Sequence, residues 1–394
     1  MCGEGARVLI VAGEASGDLY GGLLMRALSA GGRAVEFSGA GGPAMEAAGL
    51  RRVGDASSMG VTGLTEVLGN LPALWKAYRA ARRAIDDPAR RPDLAILIDY
   101  PDFNLRLAAH ARRARVPVLY FISPQLWAWR PRRILKIAQR VDRMLVILPF
   151  EEAMYREAGV PVEFVGHPLL DLVRAGRTRR QTAAVLGLDA ARPIVALLPG
   201  SRVNELAAHL PPMVGAAGLL AEEFGDLQFV LPVAPTLSRP AVEAAVRRAG
   251  GRAASSIVLV GQDRYDAVAA ADAAAVASGT ATLETALLGV PMVIVYRMSR
   301  LTFALARRLA RVPHIGMANL IAGARVVPEL VQGDCTPRTI AAELRRILTE
   351  PATAQRMRQA LAGVRERLGP PGAIARAAAA AWGMISAARG ARVA

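Results

Sequence analysis

The sequence predicts an α/β protein with two parallel sheets, one in each half of the chain. Short apolar runs alternate with helical patterns from end to end. The length of 394 residues exceeds what one hydrophobic core usually holds. An Arg-rich, less apolar stretch around Pro168–Leu188 then interrupts the series before it starts again, and reads as a linker with a short helix.

In the first half, strands are predicted at Arg7–Ala12, Val35–Ser38, Leu94–Ile98, Val118–Ile122, Arg143–Ile147 and Glu163–Val165, with helices between them such as Leu19–Ala30 and Leu71–Asp86. The second series places strands at Ile194–Leu198, Gln228–Pro232, Ile257–Val260, Ala273–Val276 and Met292–Tyr296. The rest, roughly 338–390, reads as helical with a break at Gly369-Pro370-Pro371-Gly372. The expected domains are a Rossmann-like first half at 1–168 and a second at 187–365, with C-terminal helices from about 366 to 394 packing back on the first. Ligands of such sheets sit at the carboxyl ends of the strands, and two facing halves would form a cleft there.

Composition narrows the function. Apolar residues make up 53% of the chain, which excludes a disordered polymer. Cys2 and Cys335 offer neither metal spacing nor a disulfide framework, as fits a reducing compartment. His110, His167, His209 and His314 form no H-x-x-x-H or H-E-x-x-H arrangement, so no structural zinc is expected. The formal charge is +16, and only Lys76 and Lys136 are lysines. Such arginine and alanine usage follows GC-rich coding and raises the isoelectric point without any partner, although a positive surface does attract phosphates. With 5% aromatic residues and no finger or K/R-G-F motif, nucleic acid is not the expected partner. There is no run of ~18 apolar residues for a membrane span, and the start lacks the apolar core of a signal peptide. A cytoplasmic protein is expected, one that meets a membrane only from its surface.

Two strand-turn-helix units stand out. In Leu198-Pro199-Gly200-Ser201-Arg202, a buried strand ends at Pro199 and Gly200, and a helix is expected to start near Asn204. Its first N–H groups lack partners and carry partial positive charge, and Arg202 adds a forked cation; together they suit a phosphate. Ser278-Gly279-Thr280 opens another helix with Glu284 one turn in. Two such cradles suggest a nucleotide diphosphate; the bland alternative is two ordinary turns. Gly13-Glu14-Ala15-Ser16-Gly17 lacks the G-x-G-x-x-G spacing of a dehydrogenase, which disfavours a nicotinamide enzyme.

In the first half, Gly13, Glu14, Ser16, Gly17 and Asp18 form a small-residue loop open to a ligand, though Asp18 reads equally well as a helix cap. A second glycine loop spans Ser38–Pro43 and serves either the same cleft or a tight turn. Asp99 ends a buried strand that Pro101 stops, where a carboxylate can take a proton from a substrate hydroxyl. Asp102 and Asn104 read as caps of the helix that follows. Ser123, Gln125, Trp127 and Trp129 precede a block of six cations: Arg130, Arg132, Arg133, Lys136, Arg140 and Arg143. Aromatics beside cations suit anionic headgroups; the alternative is a core tryptophan beside a solvated helix face. Gly63–Leu68, with Glu66, and the residues to Tyr78 form an apolar stretch that by itself reads as core.

Eight blocks in order carry a resemblance: Ala12–Asp18, Gly63–Leu68, Ile98–Asn104, Ile122–Arg130, Leu148–Glu151, Phe164–Pro168, Leu198–Arg202 and Ala277–Glu284. From about residue 7 to 335 the chain resembles the lipid-A-disaccharide synthase family, whose fold is similar to the two-domain GT-B glycosyltransferases. The resemblance implies an inverting transfer that joins UDP-2,3-diacylglucosamine to 2,3-diacylglucosamine 1-phosphate, giving a β(1→6) disaccharide phosphate and UDP. It implies a peripheral enzyme on the inner face of the inner membrane, at an anionic surface, in lipid A biosynthesis of Gram-negative bacteria. No cofactor is implied, and a homodimer is left open. Asp99 matches the general base. Gly200, Ser201, Arg202, Ser278, Gly279, Thr280, Glu284 and Asn319 match the UDP-binding positions, with Glu284 on the ribose. Gly13, Glu14, Ser16, Gly17, Asp18, Glu66, Ser123, Gln125 and Trp127 fall to the acceptor, and Arg130, Arg132, Arg133 and Lys136 to the membrane surface. The chain has no D-x-D motif, so metal-independent chemistry is expected. It departs from the family at Gly316-Met317-Ala318-Asn319-Leu320, where a proline is usual before the asparagine. The rivals are a UDP-N-acetylglucosamine 2-epimerase or peptidoglycan-type transferase of the same fold, and a basic nucleic-acid-binding protein. Protection by UDP and not by RNA separates the last.

Overall fold

The computed structural model describes residues 5–53, 71–129, 132–299, 303 and 313–393. The chain divides into two compact units, Met1–Pro168 with Gly369–Ala394, and Leu169–Leu368. Glu66, the rest of Gly63–Leu68, and Arg130 lie outside the described residues.

In the first unit the strands are β1 (Ala6–Ala12), β2 (Val35–Ala40), β3 (Arg51–Arg52), β4 (Leu94–Ile98), β5 (Val118–Phe121), β6 (Arg143–Val146) and β7 (Val162–Phe164). They pair in parallel in the order β3-β2-β1-β4-β5-β6-β7. All five residues of β4 are buried, as a parallel strand covered on both faces requires. The covering helices are α1 (Ala15–Leu28), α2 (Pro43–Glu46), α3 (Leu71–Asp86), α4 (Pro101–Arg113), α5 (Leu126–Trp129), α6 (Arg133–Ala138) and α7 (Pro149–Glu157). Proline opens α2, α4 and α7, where its missing N–H costs nothing.

The second unit begins with α8 (Leu169–Leu172) and α9 (Arg179–Leu186). Its strands are β8 (Ile194–Leu198), β9 (Gln228–Pro232), β10 (Ile257–Val260), β11 (Ala273–Ala277), β12 (Met292–Tyr296) and β13 (Glu329–Val331), in the order β10-β9-β8-β11-β12-β13. Its further helices are α10 (Val203–Phe224), α11 (Arg239–Ala249), α12 (Arg264–Ala269), α13 (Thr280–Leu287), α14 (Met317–Ala322), α15 (Pro337–Thr349) and α16 (Pro351–Arg367). The last helix, α17 (Ala373–Val393), belongs to the first unit: Trp382 donates to the Leu28 carbonyl, and Arg389 and Arg392 both pair with buried Asp93.

Beyond shifted limits, such as the helix predicted at Leu19–Ala30 that runs over Ala15–Leu28, sequence reading and structure differ at β3, β13 and the stretch read as a linker. β3 and β13 are two and three residues long, too short to show a periodic pattern. The stretch read as a linker is instead anchored to the second unit. Gly176 and Arg177 donate to Asp266, Arg179 pairs with Asp272, and Thr178 and Gln181 form a capping box.

The strand order decides where ligands have room. In each sheet it reverses once, between β1 and β4 and between β8 and β11. Loops leaving those two neighbours run to opposite faces and open a crevice at the carboxyl edge. The first crevice begins with Gly13 and Asp99; the second begins with Pro199 and Ser278.

Candidate active site

Asp99 follows the last residue of β4, and its backbone is left-handed with φ of 45°; Tyr100 follows at 48°. Two such residues in succession cost of order 1–3 kcal/mol each and persist only if the surroundings hold them. They are held. Asn104 Nδ2 donates to the carbonyls of Ile98 (3.1 Å) and Asp99 (2.7 Å), and the Tyr120 hydroxyl donates to the Asp99 carbonyl. Ile122, just after β5, has φ of 68°, so three left-handed residues gather at this edge of the sheet. Gly13 lies under the Tyr100 ring, where a Cβ would meet the ring carbon at 2.3 Å.

Burial raises the Asp99 pKa from the usual carboxylate range to about 7, the Glu14 carboxylate adds to the rise, and the Tyr100 N–H opposes it. A second acid stands behind it. Glu151, five residues past the end of β6, is buried and accepts from Trp127 Nε1 (3.2 Å) and Leu148 N (3.3 Å). Burial pushes its pKa up to about 8, against hydrogen bonds from Trp127, Leu148 and Ser123. Ser123 is buried and bonds the Tyr155 hydroxyl at 2.8 Å. Ser123, Trp127, Glu151 and Tyr155 thus form one polar network behind the Asp99 edge. Glu151 and Tyr155 were missed as site residues. Glu151 sits at the third position of a helix opened by Pro149, a capping position visible in the sequence.

Other expected groups of this unit are placed differently. Asp18 caps α2 rather than its own helix: its carboxylate accepts from Gly42 (2.7 Å), Ala44 (3.0 Å) and Met45 (3.0 Å). Those bonds clamp the second glycine loop and leave Asp18 a structural task. Gly17 is buried between Ala12 and Ile98, Ser16 is half-buried, and Gln125 is exposed. Trp127 turns its N–H inward and packs edge-on to Phe150, so its indole is part of the wall. Within the basic block Arg133 pairs with Asp102, Arg140 donates to the Leu105 carbonyl and Arg143 reaches Glu163. Arg132 and Lys136 are exposed, with Leu135 between them 64% exposed. Asp102 is therefore an ion-pair partner rather than a cap, and Asn104 a backbone clamp.

The second crevice is bounded by two strand-to-helix turns. Gly200 has φ of 119°, and a Cβ there would lie 2.5 Å from Glu205 Oε2, so only glycine fits. Arg202 is the N-cap of α10, which starts at Val203, one residue earlier than expected. Glu205, which sequence reading passed over, accepts from Ser201 N (2.8 Å) and from Arg202 Nη1 (3.3 Å). It holds one edge of the exposed Arg202 guanidinium. His209 links the two strand ends beside this turn: it bonds the Pro199 carbonyl through Nδ1 (3.0 Å) and receives the Arg297 N–H on Nε2 (2.9 Å). Burial lowers its pKa, which keeps the imidazole neutral.

Across the switch point, Ser278 Oγ donates to the Ile315 carbonyl (2.8 Å), while Gly279 and Thr280 are exposed at the start of α13. Glu284 Oε1 accepts from the Tyr265 hydroxyl at 2.9 Å, with Arg264 at 3.8 Å. Asn319 departs from expectation. Its amide donates to Val327 O and Glu329 Oε1 and accepts from Val326 N and Val327 N, so its full hydrogen-bonding capacity is used inside the chain. Inside the chain it shapes the loop. Glu329 also receives Gly316 N, and a Cβ on Gly316 would meet Ile294 at 2.2 Å. That close approach accounts for glycine opening a loop whose usual proline is absent.

Two Rossmann-type units in series, one with a strained, half-buried carboxylate and one with paired glycine turns at helix N-termini, define a glycosyltransferase-like α/β protein of the GT-B fold. Solved structures show the same fold. The glycotransferase of kitacinnamycin is 17% identical, with a TM-score of 0.62 over 97% of this chain and 100% of that one. An S. aureus MnaA–UDP co-structure is 11% identical, with a TM-score of 0.62 over 95% and 94%. A family model described as lipid-A-disaccharide synthetase matches residues 8–379. The lipid-A-disaccharide synthase of Geobacter metallireducens is 49% identical over 94% of this chain and 95% of its own. That of Syntrophus aciditrophicus is 47% identical over 96% and 97%. The chain belongs to the lipid-A-disaccharide synthase family, and it is a glycosyltransferase that forms the lipid A disaccharide.

Proposed function

We propose that the chain transfers the diacylglucosaminyl group of UDP-2,3-diacylglucosamine to the 6-hydroxyl of 2,3-diacylglucosamine 1-phosphate. In this reading Asp99 takes the hydroxyl proton as O6 attacks C1 of the donor from the face opposite the diphosphate. The bond from C1 to the diphosphate oxygen breaks, and UDP leaves with that electron pair. The observation that carries the reading is the Asp99 carboxylate, held on strained backbone at a sheet edge with its pKa brought to about 7, where a base works best near neutrality. Arg202, the N–H groups opening α10 and α13, and Gly200, Ser201, Ser278, Gly279 and Thr280 would neutralise the diphosphate without a metal ion or cofactor. Glu284 would hold the ribose hydroxyls. Glu14, Ser123 and the Tyr100 face would line the acceptor side.

No described helix is long and apolar enough to cross a membrane. Both substrates carry acyl chains, so the enzyme would work from the bilayer surface as a peripheral protein on the cytoplasmic face of the inner membrane. Exposed Arg132, Leu135 and Lys136 support that reading, as does Trp75, 49% exposed and stacked on Tyr78. The deciding assay is UDP release in the presence of EDTA. Release that requires both the acylated donor and the acylated sugar phosphate supports the proposal; release from the donor alone, or loss of activity in EDTA, overturns it.

A further inference from the structure

The first unit also has an open, arginine-lined cavity at the other end of its sheet. It lies where β4, β5 and β6 begin, remote from the strand ends that carry Asp99, and has a volume of about 660 Å³. Arg91, Arg112, Arg115 and Arg392 line it against one carboxylate, Asp142. The rest of the lining is largely apolar, from the turn before β5 and from α17 around Met384.

Ordinary structural reasons account for part of this charge. Arg112 lies in the last turn of α4 and Arg392 in the last turn of α17, where cations favour the helix dipole. Arg112 also pairs with Asp142 at 3.3 Å, and Arg392 with Asp93 at 2.8 Å. Those reasons do not reach Arg91, which lies in the loop before β4. Its Nε is buried with no hydrogen-bond partner, a state that leaves a desolvated donor of a charged group unsatisfied. Nor do they explain the space, which falls within the ~300–1,000 Å³ typical of small-molecule sites and far exceeds what one phosphate needs.

We propose that this cavity is an accessory binding site for a phosphate-bearing amphiphile. The phosphate would sit between Arg91 and Arg115, whose planar forks match its oxygens. The apolar body would lie on the α17 floor. The phosphate can come from a soluble phosphate ester or from a lipid headgroup, and the chemistry of recognition is the same.

The test uses the full chain with UDP saturating, so that the nucleotide turns are occupied. Calorimetry with hexyl phosphate examines the soluble source, and sedimentation with phosphatidic-acid vesicles, against phosphatidylcholine vesicles, examines the headgroup. Two variants report on the cavity. Arg91→Gln with Arg115→Gln removes the proposed ligands, and Ala387→Glu adds a carboxylate at an exposed floor position while leaving every arginine in place. The expected result is one hexyl phosphate bound by the parent and at least tenfold weaker binding in both variants, with donor and acceptor turnover unchanged. If the double variant fails to fold, Ala387→Glu decides alone. Vesicle binding weakened in both variants beyond the share carried by Arg132 and Lys136, without hexyl phosphate binding, sustains the site with a headgroup as its ligand. Hexyl phosphate binding that both variants retain, or no hexyl phosphate binding by the parent together with vesicle binding that neither variant weakens, overturns it.

Discussion

The carboxyl edges of the two sheets share one topology and differ in chemistry. At the first edge burial acts on the polar groups: it pushes Asp99 and Glu151 up to about 7 and about 8 and raises Tyr120 and Tyr155. At the second edge the polar groups face outward: Arg202, Gly279 and Thr280 are exposed around two helix N-termini. In the proposed reading the difference follows from what each region handles. A base that takes a proton near neutrality has to be desolvated enough to want one. An anion site needs N–H groups and a cation that are already oriented and still accessible.

The sharpest way to break this comparison is Asp99→Asn. Turnover should fall by roughly 10²–10⁴-fold, while UDP affinity, measured by calorimetry, stays within about twofold. Near-normal turnover would remove the base from the first edge.

Asn319→Ala is expected to act on stability rather than on UDP. Removing an amide with four internal hydrogen bonds should cost about 2–4 kcal/mol, seen as a lower midpoint in urea unfolding. A loss of UDP affinity at unchanged stability would return Asn319 to the nucleotide.

Arg202→Ala sharpens the second edge. Loss of a charge-assisted contact worth about 1.5–3 kcal/mol should weaken UDP binding roughly 10–100-fold, read by UDP titration. Unchanged affinity would move the diphosphate elsewhere.

In the proposed reading the exposed Arg132 and Lys136 of the first unit meet the membrane surface. Replacing both by Ser should weaken sedimentation with anionic vesicles by roughly fivefold per cation, at about 1 kcal/mol each near the surface, and added salt should weaken the parent likewise. Replacing Arg133, which Asp102 already neutralises, should change vesicle binding less.

The smallest effect is a shift along the pH axis. Asp99 must be ionised to accept a proton, so kcat/KM should fall tenfold per pH unit below about 7. Removing the neighbouring like charge in Glu14→Gln eases that ionisation and lowers the pKa, so the acid limb should move to lower pH by about half a unit. A limb that stays in place, or moves upward, would show that burial alone sets the Asp99 pKa.

Much of the architecture is local and was legible in the residues. Leu94–Ile98, Ile194–Leu198, Gln228–Pro232, Ile257–Val260 and Met292–Tyr296 are strands at the predicted limits, because a buried parallel strand is a short apolar run closed by turn residues. The two strand-to-helix turns of the second unit are likewise written in their glycines and in the helices that follow them. What those windows of sequence do not contain is the partner of each polar side chain. Asp18 meets a loop 24 residues away, Trp127 meets Glu151 at the same separation, and Arg133 meets Asp102 31 residues back. Periodicity reports which face of an element is buried, whereas a hydrogen bond depends on which elements the sheet order brings together. The tertiary structure therefore decided that Asp18 and Asn319 are clamps, that Trp127 faces inward, and that a second acid, Glu151, lies behind Asp99.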